Sequence, residues 1–234
     1  MDAFMKTNKI LVLLAAVVFT VILPIVLLLT DVQLTAFDRG YYKKEYIKYN
    51  VPQNVGIEMD QLMSSTEKLL MYMENKRNDL DFKAEVKGQQ VEFFSDRDKI
   101  HMIDVKNLFV KGRVFRNYSA LLVLLLLAYL VYARKKGSKL LPNVGIAVSI
   151  AGIVPVVLLI ILMNIDFYKY FTVFHKIFFS NDFWLLDPGV DRLVNIFPQE
   201  FFSDMAFRII YLYIAELVVV LIASLIGRRS SKRV

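Results

Sequence analysis

The chain has 234 residues, of which 56% are hydrophobic, and its mean hydropathy of +0.47 is too high for a soluble domain of this size. It contains no cysteine, which excludes disulfides, a cysteine acyl-enzyme and thiolate metal sites. Its net charge of +7 comes largely from basic residues that flank apolar runs, so the charge indicates membrane topology and not a nucleic-acid-binding surface.

Residues 10–29 form an uncharged run that is long enough to cross a hydrocarbon core of about 30 Å as a helix. Pro24 predicts a kink in that helix. A cleaved signal peptide is the alternative. The run is longer than the usual apolar region of about 7–15 residues and no clear small-x-small cleavage site follows it, so we interpret it as an uncleaved transmembrane helix after a short N-terminus, residues 1–9.

Residues 30–117 are long enough to form a small α+β cap outside the membrane. Residues 59–77 predict an amphipathic helix, because apolar side chains recur there at helical spacing. These side chains are Leu62, Leu69, Leu70 and Met73.

The stretch DFKAEVKGQQVEFFS alternates polar and apolar residues on both sides of Lys87-Gly88. This pattern predicts a short β-hairpin that turns at the dipeptide. The first strand would place Phe82, Ala84 and Val86 on one face.

A further helix is predicted from Ser95, where Ser95 and Asp98 stand at the spacing of a capping box. His101 and Asp104 follow at i and i+3, so they are neighbours on the helix surface. A carboxylate beside an imidazole can fix its tautomer and raise its basicity. The plain alternative is a partly exposed helix whose polar edge happens to contain His-x-x-Asp.

Two further spans follow, joined by a basic loop. The run 118–133 is short and needs help from polar or basic residues at its ends, such as the snorkelling Arg134. The loop is 134–143. The next span, 144–163, again contains a proline, Pro155, within the helix.

The segment 164–208 is unusually aromatic, with twelve Phe, Tyr and Trp residues in the 41 positions from Asn164 to Asp204. An interfacial aromatic belt accounts for many of them, but a belt needs only a few residues per helix. Asp187-Pro188 predicts an N-cap and the first position of a short helix. We therefore expect short helices that lie along the membrane with their aromatic side down.

The last span, 209–226, is uncharged except for Glu216, and a short tail, 227–234, follows it. A carboxylate near mid-bilayer is expected to face protein and to be hydrogen-bonded or protonated. The sequence leaves open whether Glu216 has a structural or a functional role.

The orientation follows from ten basic residues on one side of the predicted spans. They are Lys6, Lys9, Arg134, Lys135, Lys136, Lys139, Arg228, Arg229, Lys232 and Arg233. Both termini are therefore predicted to be cytoplasmic, and the segments 30–117 and 164–208 to lie outside.

No HExxH, GxSxG, Walker or dinucleotide-binding motif is present. The chemistry-bearing candidates are the only two histidines, His101 and His175, with their acidic neighbours. They could act as a general acid–base pair, or bind a metal with a carboxylate such as Asp104 or Asp187. A non-catalytic membrane protein whose cap binds envelope partners and a metal-dependent membrane hydrolase remain open alternatives.

Two segments resemble a known family. HMIDVKNLF (His101–Phe109) and FHKIFFSNDFWLLDPGVDRLVNIFPQEFF (Phe174–Phe202), with four spans and an outer cap, are similar to the bacterial lipoprotein intramolecular transacylase family. The most specific parts are the HxxDV helix and the run H…FF…W.LDP…D.L…FP..FF. The stretch 31–95 carries little motif.

The resemblance implies a mostly α-helical acyltransferase of the Gram-positive bacterial cell membrane that acts on diacylglyceryl-modified lipoproteins. It implies transfer of the sn-2 acyl chain to the α-amino group of the lipoprotein's own N-terminal cysteine, which gives the lyso-form lipoprotein. The family's two catalytic histidines correspond to His101 and His175, at the boundary of cap and membrane. We expect no metal, no cofactor and no nucleic-acid partner, and membrane lipids around the protein; the oligomeric state stays open.

Since ester and amine lie in one molecule, no enzyme nucleophile is needed and an eight-membered cyclic intermediate forms. We expect His101 to act as the base with Asp104 as its orienter, and His175 to polarise the ester carbonyl or protonate the leaving oxygen. The predicted substrate-binding residues are Phe174, Phe178, Phe179 and Trp184, which would form a wall that bends the lipid, and Asn181, a donor to the oxyanion. Ordinary interfacial packing is the alternative for each aromatic residue.

Overall fold

The structure is a computed structural model that describes residues 2–134 and 139–230. The helices are α1 (Asp2–Ala36), α2 (Arg39–Lys48), α3 (Val51–Val55), α4 (Met59–Met73), α5 (Asp96–Ala133), α6 (Leu140–Ile165), α7 (Phe167–Phe178), α8 (Leu193–Ile196) and α9 (Gln199–Ser230), and the strands are β1 (Lys83–Val86) and β2 (Gln89–Glu92). Four basic residues of the orientation argument, Lys135, Lys136, Lys232 and Arg233, lie outside the described residues.

Four of the helices, α1, α5, α6 and α9, are long and apolar enough to cross a membrane. Large apolar side chains cover their outer surfaces, among them Leu124 and Val219, which are 62% and 67% exposed. Exposure on this scale is unfavourable in water but suits lipid contact. The prediction of a mostly helical protein with four spans and a small sheet is therefore confirmed.

The chain divides into two compact units. The first comprises Met1–Val32, Val114–Leu162 and Ile209–Val234, and the second comprises Gln33–Arg113 and Met163–Arg208. Within the first unit, Ser149 donates a hydrogen bond to the backbone oxygen of Leu217 at 3.0 Å. A Cβ atom at Gly152 would lie 2.5 Å from Leu217, so glycine allows α6 and α9 to approach closely. In the same unit, the Oε2 atom of Glu216 is buried and has no hydrogen-bond partner among the described residues.

The second unit has an apolar core in which tyrosines of α2 pack against phenylalanines near the start of α9. Tyr46 is fully buried, and its ring stacks on those of Phe197 and Phe201 at 6.1 and 6.3 Å. The predicted helix from Met59 is α4, and it buries the four apolar side chains that the spacing indicated. It ends at Met73, one turn earlier than predicted.

The predicted β-hairpin is present, with Lys83 opposite Glu92 and Val86 opposite Gln89. Lys87 and Gly88 both have positive φ, 51° and 75°, as a two-residue hairpin turn of type I′ requires. Ala84 and Val86 are buried and Phe82 is half-buried, so the first strand packs its predicted face inward.

The helix predicted from Ser95 continues without a break into the second span and forms α5. Its capping box is reciprocal, because the Ser95 N–H donates to Asp98 at 3.1 Å and the Asp98 N–H donates to Ser95 Oγ at 3.0 Å. Nine charged residues lie between positions 96 and 116. Since charges at membrane depth are costly, this first part of α5 lies outside the hydrocarbon core.

The helix predicted at Asp187-Pro188 is wrong. Asp187 does accept a side-chain hydrogen bond from the Gly189 N–H at 2.8 Å, but the chain makes a single turn there and helix α8 begins only at Leu193. The Asp187 N–H itself donates to the carboxylate of Asp191 at 2.7 Å. The N–H groups of Arg192 and Leu193, which would continue a helix from Asp187, donate instead to the carboxylate of Asp98 at 3.0 and 3.4 Å, so the segment is a loop.

Candidate active site

His175 lies in the last turn of α7, in the second unit. The helix starts at the cap residue Asp166, whose side chain accepts from the Lys169 N–H at 2.9 Å. The Nδ1 atom of His175 is 2.7 Å from the backbone oxygen of Phe171. A carbonyl oxygen only accepts, so Nδ1 carries a proton, and in the neutral ring the lone pair is on Nε2.

His101 belongs to the same unit and lies one turn after Asp98 in α5. It is 7% exposed, and its ring centroid is 6.0 Å from that of His175. Its Nδ1 atom is buried and has no hydrogen-bond partner in the part of the chain that the structure describes. The two histidines, 74 positions apart in the sequence, are therefore brought together.

Aromatic rings enclose the pair. Trp184 stacks on His175 at 4.9 Å, and Phe171 meets it edge-on at 4.5 Å. Phe179 contacts both imidazoles, with its centroid 5.3 Å from that of His101 and 5.6 Å from that of His175.

A cavity of about 270 Å³ opens beside both histidines. Its lining consists of His101, Tyr168, Phe171, Thr172, His175, Trp184, Leu185, Leu186, Leu193, Val194, Phe197, Gln199 and Phe202. Of the predicted wall residues, Trp184 lines this cavity. Phe174 and Phe179 instead pack around the imidazoles, and Phe178, which is 51% exposed, packs on Phe174.

Two polar residues of the lining, Thr172 and Gln199, were not predicted from the sequence. Thr172 lies one turn before His175, and Gln199 follows the Phe197-Pro198 step at the start of α9. Thr172 stands three positions before His175, and Gln199 stands two positions after Phe197. These spacings to predicted site segments could have identified both residues as part of the lining.

Asp104 is bound to Asn181. The Asn181 side-chain amide donates to Asp104 Oδ2 at 2.8 Å, and its oxygen accepts from the Phe183 N–H at 3.1 Å. Asp104 remains close enough to favour the charged form of His101. The direct contact that the structure gives to the carboxylate is nevertheless with the amide and not with the imidazole.

Both imidazoles are held neutral at pH 7. Burial, together with the neighbouring His175, lowers the pKa of His101 to about 4, although Asp104 partly opposes the shift. Burial also lowers the pKa of His175, although the hydrogen bond to Phe171 acts in the opposite direction. The site therefore offers two uncharged imidazoles in a hydrophobic setting.

Within residues 2–134 and 139–230, no group of three or more His, Cys, Asp or Glu side chains could hold a metal ion. The acidic candidates Asp104 and Asp187 bind instead to Asn181 and to the loop backbone. The described residues of the site therefore provide proton donors and acceptors but no cluster of metal-ligating side chains.

Fold and site together define the class of the protein, an integral membrane protein with a histidine pair in a hydrophobic cavity. A sequence profile of the family described as lipoprotein intramolecular transacylase Lit matches residues 17–202. The chain belongs to this family, and it is therefore an acyltransferase with lipoprotein substrates. The predicted family resemblance is confirmed.

Solved structures show the same fold. The membrane-integral Lit from Bacillus cereus, crystallised in meso, matches with a TM-score of 0.83 and 20% identity over 97% of this chain and 100% of that chain. Two variants of the Bacillus cereus protein, with one histidine replaced by arginine or by alanine, match with TM-scores of 0.78 and 0.76 at 20% and 21% identity. They cover 99% and 100% of this chain, and 98% and 100% of theirs. No curated protein sequence matches the chain.

Proposed function

We propose that this protein moves the sn-2 acyl chain of a diacylglyceryl lipoprotein to the α-amino group of the same molecule's N-terminal cysteine. The observation that carries the proposal is the pair of neutral imidazoles, 6.0 Å apart, beside one hydrophobic cavity. The amine attacks the ester carbonyl, the C–O bond to sn-2 breaks, and a proton passes from nitrogen to the departing oxygen. The product is an N-acylated lyso-form lipoprotein with a free sn-2 hydroxyl.

The principal task of the enzyme is to position the substrate. Attack closes an eight-membered ring of N, Cα, Cβ, S, the sn-3 and sn-2 carbons, the ester oxygen and the acyl carbon. Correct orientation of reacting groups can supply about 7–11 kcal/mol of a barrier. A cavity walled by Phe171, Trp184 and Phe202 can fold the glycerol ester back on the amine while it excludes the water that would hydrolyse the ester.

The hydrogen bonds of the histidines support a division of roles that reverses the one expected from the sequence. With Nδ1–H donated to Phe171, the free lone pair of His175 is on Nε2, as a general base requires. A buried N–H without an acceptor costs more free energy than a buried lone pair without a donor. Because the buried Nδ1 of His101 has no partner among the described residues, the ring favours the tautomer whose proton is on Nε2. His101 then donates a hydrogen bond to the developing oxyanion and to the leaving oxygen, and His175 accepts the proton of the amine and passes it on to that oxygen.

Asp104 acts in this scheme through Asn181. Their hydrogen bond fixes the amide against Asp104, and the negative charge of Asp104 raises the pKa of His101, which keeps the proton on this donor. Phe174, Phe178 and Phe179 support the imidazoles and the lipid-facing wall.

The decisive experiment measures lyso-form product by mass spectrometry of lipoprotein N-terminal peptides, in a host that lacks the activity. We expect His101→Ala and His175→Ala to fold normally and to form no product. Product from both variants at the wild-type level would refute the proposed histidine chemistry.

The glutamine variants separate the two roles, because the glutamine amide can donate a hydrogen bond near the position of Nε2 but is not a base. We expect His101→Gln to retain more activity than His101→Ala, and His175→Gln to be as inactive as His175→Ala. The reverse pattern would assign the base to His101.

We also propose that both termini are cytoplasmic and that the histidine site faces the extracellular side, as the basic residues predict. The absence of native cysteine makes single-cysteine labelling clean. A cysteine at Lys87 should react with a membrane-impermeant maleimide in intact cells, and one at Ser230 should react only after lysis. The opposite pattern would reverse the topology.

A further inference from the structure

Two buried carboxylates outside the histidine pair connect the start of α5 to the loop 187–193. Asp98 is fully buried, and Asp191 is 2% exposed. The side chain of the adjacent Arg192 donates to the backbone oxygens of Glu92 and Phe93 and not to these carboxylates. The two charges are therefore satisfied by N–H and O–H donors.

The contacts of Asp98 cross from helix to loop. Its Oδ2 atom accepts from the N–H of Ser95 at 3.1 Å and from the N–H of Arg192 at 3.0 Å. The N–H of Leu193 is 3.4 Å from both carboxylate oxygens. One side chain thus caps α5 and binds the backbone at the start of α8.

Asp191 completes the connection from the loop side. Its Oδ1 atom accepts from the hydroxyl of Ser95 at 2.6 Å, and its Oδ2 atom accepts from the N–H of Asp187 at 2.7 Å. Ser95 Oγ also accepts from the Asp98 N–H. Ser95, Asp98 and Asp191 therefore form one hydrogen-bonded network, which we call the loop latch.

The loop latch connects two parts of the active site. His101 follows Asp98 by one helical turn. The latched loop lies between two segments that line the cavity, residues 184–186 and residues 193–197. Any change in the latch would alter the distance between His101 and the wall that holds the substrate.

We propose that Ser95, Asp98 and Asp191 are positioning residues of the acyl transfer, which set the cavity wall against His101. This inference rests on the proposed function. Two carboxylates suit the task because they only accept hydrogen bonds, whereas an asparagine would turn N–H groups toward backbone donors. A misplacement of about 1 Å can cost on the order of a hundredfold in rate.

A purely structural latch would behave differently. It would lower the melting temperature when broken, while each folded molecule would keep its turnover number. A positioning latch lowers kcat in molecules that remain folded and leaves KM nearly unchanged, because the substrate still binds but reaches the reactive geometry less often.

The test uses the full chain in detergent or liposomes with a diacylglyceryl-modified peptide, and the variants Ser95→Ala, Ser95→Thr, Asp191→Asn and Ser95→Ala/Asp191→Asn. We expect Ser95→Ala and Asp191→Asn each to lower kcat about tenfold to a hundredfold with KM changed by less than about threefold. Ser95→Thr, which keeps the hydroxyl, should restore most of kcat. The double variant should be no slower than the worse single variant, because both break the same bond.

Asp96→Asn is the matched control, because Asp96 is an exposed carboxylate in the same turn of α5. It should keep wild-type kcat. The inference is overturned if Ser95→Ala and Asp191→Asn keep kcat within about twofold, or if their effects multiply in the double variant.

A second measurement does not depend on activity. Trp184, the only tryptophan, precedes the latched loop and stacks on His175, so its quenching by iodide reports the placement of the wall. Ser95→Ala should increase that quenching and Asp96→Asn should not; equal quenching in both would count against the latch. Wild-type protein that forms no lyso-form product would refute the proposed function, and the quenching result would still decide the latch.

Discussion

Lowering the pH from 7 toward 5 should slow acyl transfer less than protonation of the substrate amine and of an ordinary histidine together would impose. The proposed mechanism needs a neutral amine and a neutral His175 as the base. An α-amine has a pKa of about 8, so its neutral fraction falls about a hundredfold between pH 7 and pH 5. Any further loss of rate over that interval must come from the histidines.

His101, whose pKa is lowered to about 4, stays about 90% neutral at pH 5 and adds little to that loss. A histidine with an ordinary pKa of about 6.5 would go from about 75% neutral at pH 7 to about 3% at pH 5, which adds a loss of about 25-fold. The pKa of His175 is lowered as well, which works in the same direction. A plot of log kcat/KM against pH should therefore have a slope of one through pH 6.5 and turn toward two only at lower pH.

The assay measures kcat/KM for a synthetic diacylglyceryl-modified peptide in liposomes, with the N-acylated product quantified by mass spectrometry. Phe179→Ala should admit water beside both imidazoles and move the second break to higher pH, since Phe179 contacts both rings. Phe183→Ala is the control, because the ring of Phe183 faces Arg97 and not the histidines. A slope of two that begins near pH 6.5 in the wild type would refute the burial argument.

Two further predictions follow from the cavity. The cavity of about 270 Å³ beside the histidines is too small to enclose a long acyl chain, so kcat/KM should vary less than about threefold when the chain is lengthened or shortened by two methylenes. A sharp optimum in a competition assay would contradict this. The emission of Trp184 should fall as His175 becomes protonated, with a midpoint below pH 6.5, and His175→Gln should abolish the transition. A midpoint at or above pH 6.5 would show that the stacked imidazole is not desolvated.

Features of the fold that depend only on residues close together in the sequence were predictable. The hydrocarbon core demands consecutive apolar residues, so the four spans were visible as runs. The turn at Lys87-Gly88 and the capping box of Ser95 and Asp98 are also local, and the structure contains both. The helix predicted at Asp187 failed because the N–H groups of Arg192 and Leu193, which would continue it, donate to the distant carboxylate of Asp98, a contact that residue preferences do not reveal.

The arrangement of the site depends on contacts between residues that are far apart in the sequence. The spacing of 74 positions between His101 and His175 carries no signature, and the family resemblance was what predicted their meeting. Phe174, Phe178 and Phe179 were predicted to form the substrate wall with Trp184, but the three-dimensional packing places Phe171 and Phe202 at the cavity and leaves Phe178 outside it. The bond from Asp98 to the Arg192 backbone, 94 positions away, was likewise beyond any local pattern.

The hydrophobic walls have two effects on the chemistry that arise from one cause. Excluding water removes the nucleophile that competes with the amine for the ester, and the same desolvation keeps His101 and His175 uncharged. A neutral imidazole is a weaker acid than an imidazolium, but it can still donate Nε2–H to an oxyanion without carrying charge into an apolar site. Because amine and ester belong to one molecule, the reaction needs only a proton to move from one to the other, and a pair of neutral imidazoles 6.0 Å apart can serve both ends of that transfer.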